Sequence, residues 1–178
     1  MGLAVLGGIY VASRGLPSVG FGVAQASSGS AGQQQTQVDT KRVAELTAVV
    51  DKDPANKDAL FELGETYIQA GRWQESLDWF TKLLAVDPEN LHARTDVGTD
   101  SYNLGRPDAA RTAWEEVARR NPSDPQSHYN LGYLYANSFG TVGDVQAATK
   151  EWQRVIELAP GTELAKAAQS GLDLLGKQ

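Results

Sequence analysis

Two histidines, His92 and His128, and no cysteine make up the chain's stock of soft ligands and near-neutral bases. Imidazole suits proton transfer and zinc ligation, but either task needs a second group at fixed spacing. Neither histidine has an acidic or cysteine partner at ligand spacing, so both are expected at the surface or at the edge of a core. The acids Glu115 and Glu116, and the pair Asp51 and Asp53, are sequence neighbours that do not share a helical face, and they read as solvated charge. Gly7 and Gly8 lack the strand, turn and helix that a phosphate-binding loop requires. No GxSxG, P-loop or HExxH sequence occurs. The expectation is a protein that is not an enzyme and that carries no cofactor and no metal.

The elements that would position any binding residue repeat with a period of 34. Leu63-Gly64 recurs as Val97-Gly98 and Leu131-Gly132, and Phe80, Trp114 and Trp152 follow in step, as do Pro88, Pro122 and Pro160. The third unit carries extra residues between Gly132 and Trp152. A period of this size denotes one helical hairpin stacked on the next. Leu60, Leu63, Gly64 and Tyr67 fall on one helical face. Asn56, Asn90, Asp124 and Thr162 precede the first helices as N-caps. Gly71, Gly105 and Gly143 are placed to end those helices in a left-handed conformation. Each second helix carries its aromatic inward and stops at a proline, while Pro107 opens one. Gly64, Gly98 and Gly132, facing Ser76, Ala110 and Ala148, let paired helices approach, and the aromatics fill the space between neighbouring hairpins.

This joint pattern resembles the tetratricopeptide repeat family over residues 39–178. The resemblance implies an all-α, antiparallel helix-hairpin solenoid with a lead-in helix at 40–52, repeats at 57–90, 91–124 and 125–160, and a capping helix at 162–176. In the lead-in helix, Leu46 and Val49 align with Phe80 and Leu83; in the last, Leu164, Ala167 and Ala168 close the stack. The residues that match the family's groove positions are Asp58, Phe61, Glu65, Ile68 and Gln69, then His92, Thr95, Thr99, Tyr102 and Asn103, then Gln126, Tyr129, Tyr133 and Asn137, with Ala136 among them. They imply a concave surface on which amides bond the backbone of an extended peptide and aromatic rings hold its side chains, Tyr129 and Tyr133 foremost. Phe61, Glu65 and Asp96 stand where family members that hold a C-terminal dicarboxylate need basic or amide groups, so an acidic ligand is disfavoured.

Charge points the same way. The net charge is −6, and since Arg14 is the one charged residue before Asp39, residues 39–178 carry 15 basic against 22 acidic groups, or −7. Nucleic acid is therefore not an expected partner. Residues 1–26 are apolar and glycine-rich, and 27–38 read as a Ser/Gly/Gln linker. Leu3 to Ala12 has the length of a signal-peptide core and Ala24-Gln25-Ala26 the form of a cleavage site, although Arg14 interrupts the zone and no basic residue precedes it. The reading is an extracytoplasmic bacterial scaffold, anchored or secreted, that binds a protein or peptide; membrane contact is expected through residues 1–26 only, and a cytoplasmic location stays open. Two alternatives accompany it. One is a structural subunit of a larger complex or filament, associating through residues 1–30. The other, from a weaker resemblance to the repeat domains of cytochrome c biogenesis proteins, is an apocytochrome-binding factor.

Overall fold

The computed structural model describes residues 37–137 and 142–176. The expectations for residues 1–26 and for most of the linker lie outside these. Among the described residues there are eight helices and no strands: α1 (Thr40–Lys52), α2 (Lys57–Gln69), α3 (Trp73–Val86), α4 (Leu91–Asn103), α5 (Pro107–Arg120), α6 (Pro125–Asn137), α7 (Val142–Leu158) and α8 (Glu163–Leu175). None is long and apolar enough to cross a membrane. The chain divides into two compact units, one reaching to Val117 and the other beginning at Ala118.

Local chemistry sets the helix boundaries. Asn56 and Asn90 accept the amides of Ala59 and Ala93 at 3.0 and 2.9 Å, and Asp124 and Thr162 those of Ser127 and Ala165 at 2.7 and 3.2 Å. Each cap satisfies an amide left open by the first turn and contributes about 1 kcal/mol. Gly71 and Gly105 turn the chain between paired helices with φ of 67° and 72°, a region costly for any side chain with a Cβ. Gly143 does not act this way: it lies in the first turn of α7. The reason is the insertion, which makes Trp114 to Trp152 a span of 38 positions rather than 34. It is taken up by starting α7 nearly a turn early, so the glycine is absorbed into the helix.

In the first unit α1 packs on α2, α2 on α3 and α3 on α4. In the second, α7 packs on α6 and on α8. The aromatics are core, with Phe80 at 0%, Trp114 at 2% and Trp152 at 1% exposure. Each lies directly over the glycine of its own hairpin rather than only between hairpins. A Cβ on Gly64 would meet the Phe80 ring at 2.6 Å, one on Gly132 would meet Trp152 at 2.5 Å, and one on Gly98 would overlap Trp114. Trp152 also bears on Gly171 of α8, a contact the period does not reveal. Burying each ring contributes a few kcal/mol, on the order of 25 cal/mol per Å² of apolar area. At the lead-in helix, Leu46 is buried against Ala59 and Leu63, but Val49 is exposed and Val50 packs inward in its place. Val49, which takes the place of Leu83 in the period, stays in solvent.

Candidate functional site

The residues expected to line a groove separate into those that remain accessible and those that the fold uses. Tyr129 is of the second kind: it is 2% exposed, lies 6.4 Å from the Trp152 ring, and burial pushes its phenol up to about 12. It cannot be a leading contact for a guest. Thr99 and Ala136 are buried too. The amide-rich character of the surface is also partly internal. Asn103 Nδ2 donates to the Thr99 carbonyl at 2.8 Å, Asn137 Nδ2 to that of Tyr133 at 2.7 Å, and Gln126 Nε2 to Asn130 Oδ1 at 2.8 Å. The Thr95 and Thr99 hydroxyls likewise donate one turn back, to Leu91 and Thr95. Such bonds spend donors that a peptide backbone would need. Tyr102, Asn103, Gln126, Tyr133 and Asn137 are half-buried, while Asp58 and Gln69 are exposed.

What the first unit does bring together is a patch on α2 and α4. The Phe61 ring stands 4.8 Å from the His92 imidazole and 5.5 Å, edge to face, from Phe80 beneath it. Phe61 and Ile68 pack against the core formed by Leu60, Phe80, Leu83 and Ala93. Glu65, one turn beyond Phe61 on α2, is half-buried. One turn after His92 on α4 comes Asp96, whose Oδ2 is 3.8 Å from His92 Nε2. The expectation that His92 has no acidic neighbour therefore fails, because four residues is one helical turn. His128 also has one: its Nδ1 is 2.6 Å from Glu151 of α7 and its Nε2 3.2 Å from the Pro122 carbonyl. That second pair ties α6 to α7, with both partners mostly buried.

The burial of two carboxylates, Asp96 in this patch and Asp100 beneath it, is not read from the sequence. The Asp96 side chain is 15% exposed, and Asp100, a further turn along, is fully buried. Among the described residues Asp96 Oδ2 and both Asp100 oxygens lack a hydrogen-bond partner. Burial, reinforced by the negative charge of Glu65 and then of Asp100, raises Asp96 to about 8. Burial is also the main cause of Asp100 rising to about 7; the Ser76 hydroxyl of α3 faces it and favours its charged form, though short of hydrogen-bond geometry, and Glu65 opposes. A carboxylate removed from water without donors is unfavourable by several kcal/mol and responds by holding its proton. Sequence offered one signal: Asp100 lies three residues after Val97 and seven after Ala93, on the same helical face. Among the described residues no cluster of three or more acids or histidines could hold a metal ion.

Two family models described as tetratricopeptide repeat match residues 57–90 and 98–163. Among curated proteins, the chain is 28% identical over 113 residues to the protein CTR9 homolog of Arabidopsis thaliana, covering 63% of this chain and 10% of that protein. It is 31% identical over 78 residues to the uncharacterized protein y4yS of Sinorhizobium fredii, covering 44% and 43%. The chain thus spans less than half the length of either. Among solved structures, a crystal structure of MamA superposes with a TM-score of 0.62 at 19% identity, covering 76% of this chain and 85% of that one. The first repeat domain of Spaghetti (RPAP3) bound to an HSP90 peptide gives 0.61 at 22%, covering 70% and 94%. The Yersinia enterocolitica secretion chaperone SycD with a peptide of the translocator YopD gives 0.62 at 17%, covering 67% and 92%.

Proposed function

Because the chain belongs to the tetratricopeptide repeat family, we propose that it is a protein-binding scaffold whose ligand is an extended segment of a partner protein, lying along α2 and α4. The observation that carries the reading is the patch of Phe61, Glu65, His92 and Asp96, where two helices present apolar, aromatic and acidic groups to one area of surface. A preformed surface of this kind avoids ordering costs on the scaffold's side, so a modest contact area can give useful affinity. Two of the structural relatives hold bound peptides, which supports the same mode of use. In this reading the apolar residues 1–26 direct the scaffold out of the cytoplasm or tether it to a membrane, and residues 27–38 give it reach.

Site-specific photocrosslinking tests the proposal. A benzophenone amino acid replaces His92 in the full chain, and in a second sample it replaces Thr81, which is exposed on α3. Capture of the same cellular protein through position 92 and not through 81 is the expected result. Capture through 81 alone, or through neither, removes α2 and α4 as the binding face.

A further inference from the structure

We infer that Asp96 and Asp100, with Glu65 beside them, form a pocket for a cationic side chain, an arginine or lysine projecting from the segment bound along α2 and α4. This deepens the scaffold reading and rests on it.

Three observations converge. The first is an unmet demand for donors: both oxygens of the fully buried Asp100 and Oδ2 of Asp96 are without a hydrogen-bond partner among the described residues. Guanidinium and ammonium groups are what such oxygens lack, because they bring several N–H donors and a compensating charge together. The second is the surroundings. From α2 the pocket faces Glu65, from α3 the Ser76 hydroxyl, and on α4 itself His92 stands 3.8 Å from Asp96 at the solvent side. Arg94 is close in sequence, yet its Nη2 donates to the Pro88 carbonyl at 2.8 Å, and its buried Nε bonds neither acid. Phe61, against His92, adds a ring at the rim that a cation can approach.

The third is the next repeat. Positions 96 and 100 correspond to 130 and 134, which are Asn130 and Leu134. Asn130 is buried and bonded by Gln126, and Leu134 is 3% exposed. The hairpin therefore needs no acid at either place. Two carboxylates that weaken the fold where an amide and a leucine would serve are accounted for by a ligand that completes them.

The pocket has a proton balance. With Asp96 raised to about 8 and Asp100 to about 7, the free protein holds protons there near neutrality. An arriving cation favours the ionised acids, so binding releases protons to solvent and strengthens as pH rises.

The test uses the full chain, immobilised, and a pool of synthetic nine-residue peptides with randomised flanks and a fixed central arginine, lysine, citrulline or norleucine. Retention is read at about pH 9 and about pH 6. Arginine or lysine peptides should exceed citrulline and norleucine peptides by about fivefold or more at the higher pH and by less than about twofold at the lower. Retention of both cations alike marks a charge-only pocket, and of arginine alone a fork-shaped one. The double substitution Asp96→Asn with Asp100→Asn, shown folded by circular dichroism, should erase the preference while leaving residual binding. Equal retention of all four central residues overturns the pocket and leaves the scaffold reading standing. A preference untouched by the double substitution also overturns it, since the cation is then held elsewhere on this acidic protein. Retention of no peptide counts against the binding face itself.

Discussion

Asp96 and Asp100 on α4 stand 34 residues before Asn130 and Leu134 on α6, at the same places in successive repeats. The two helices are alike in much else. Each is 13 residues long, starts behind a side-chain cap, and carries a glycine under the aromatic of the helix that follows. They differ in how the inward face between those features is filled. On α6 it is complete: Gln126 bonds Asn130, and Leu134 is buried. On α4 it holds two buried carboxylates, three of whose oxygens have no hydrogen-bond partner among the described residues. One helix thus serves the fold, while the other sacrifices some stability at a place where a guest can supply what is missing.

The largest expected effect comes from making α6 resemble α4. Leu134→Asp should destabilise by about 3–5 kcal/mol at pH 8, measured by urea unfolding, since it removes core contacts and leaves an unpaired charge inside. A loss under about 1 kcal/mol would mean that this position accepts acids in general, and Asp100 would then need no ligand to account for it.

The reverse change is smaller and depends on pH. Both acids have folded-state values above the ordinary 3.8, so between that value and about 7–8 the folded chain keeps protons that the unfolded chain has lost. Their contribution to stability therefore falls as pH rises through this window and levels off above it. Asp96→Asn with Asp100→Asn removes the titration. The variant should match the parent near pH 4 and exceed it by about 1–3 kcal/mol near pH 9, followed by thermal melts across the range. Parallel curves for parent and variant would show that the acids are solvated.

Much of the fold was legible because it follows from local rules that do not compete with one another. The caps, Gly71, Gly105 and the stripe of Phe80, Trp114 and Trp152 each follow from a single steric or hydrogen-bonding demand repeated in phase. Gly143 was misread because an inserted segment changes which residue meets the turn, and a glycine in a helix is tolerated at modest cost. The site was harder to read. Groove positions assigned by resemblance mark where a side chain starts, not how far it reaches, and the Tyr129 ring is large enough to end up beside Trp152. The burial of the acids of α4 was not legible because a charge on a helix is by default taken as solvated. Only the packing of α2, α3 and α4 shows that Asp100 is buried, with Asp96 the more accessible of the two.

A further difference concerns the two tryptophans. Trp114 Nε1 donates to the Thr95 carbonyl at 3.0 Å, whereas Trp152 Nε1 is buried with no partner among the described residues. Replacing each by phenylalanine removes similar ring area, but only Trp114→Phe also breaks a hydrogen bond, leaving the Thr95 carbonyl to the Thr99 hydroxyl and the helix backbone. Trp114→Phe should be the more destabilising by about 1 kcal/mol in matched urea titrations. Equal losses would place the whole contribution in ring packing.

The smallest effect tests whether α4 and α6 are otherwise equivalent. Asn90 and Asp124 each accept the amide three residues on, at 2.9 and 2.7 Å. Asn90→Ala and Asp124→Ala should each cost about 1 kcal/mol. The aspartate adds a charge beside the positive end of the helix dipole, so its loss should be greater by about 0.3–1 kcal/mol at low salt. That excess is electrostatic and exposed to screening, so it should vanish near 1 M salt, leaving the two variants level. If they converge, the helix starts are interchangeable, and the contrast between α4 and α6 resides in the side chains at 96 and 100. If Asn90→Ala instead unfolds α4 far more readily than Asp124→Ala unfolds α6, the buried acids have already left α4 close to its limit of stability, and a bound cation should restore the difference.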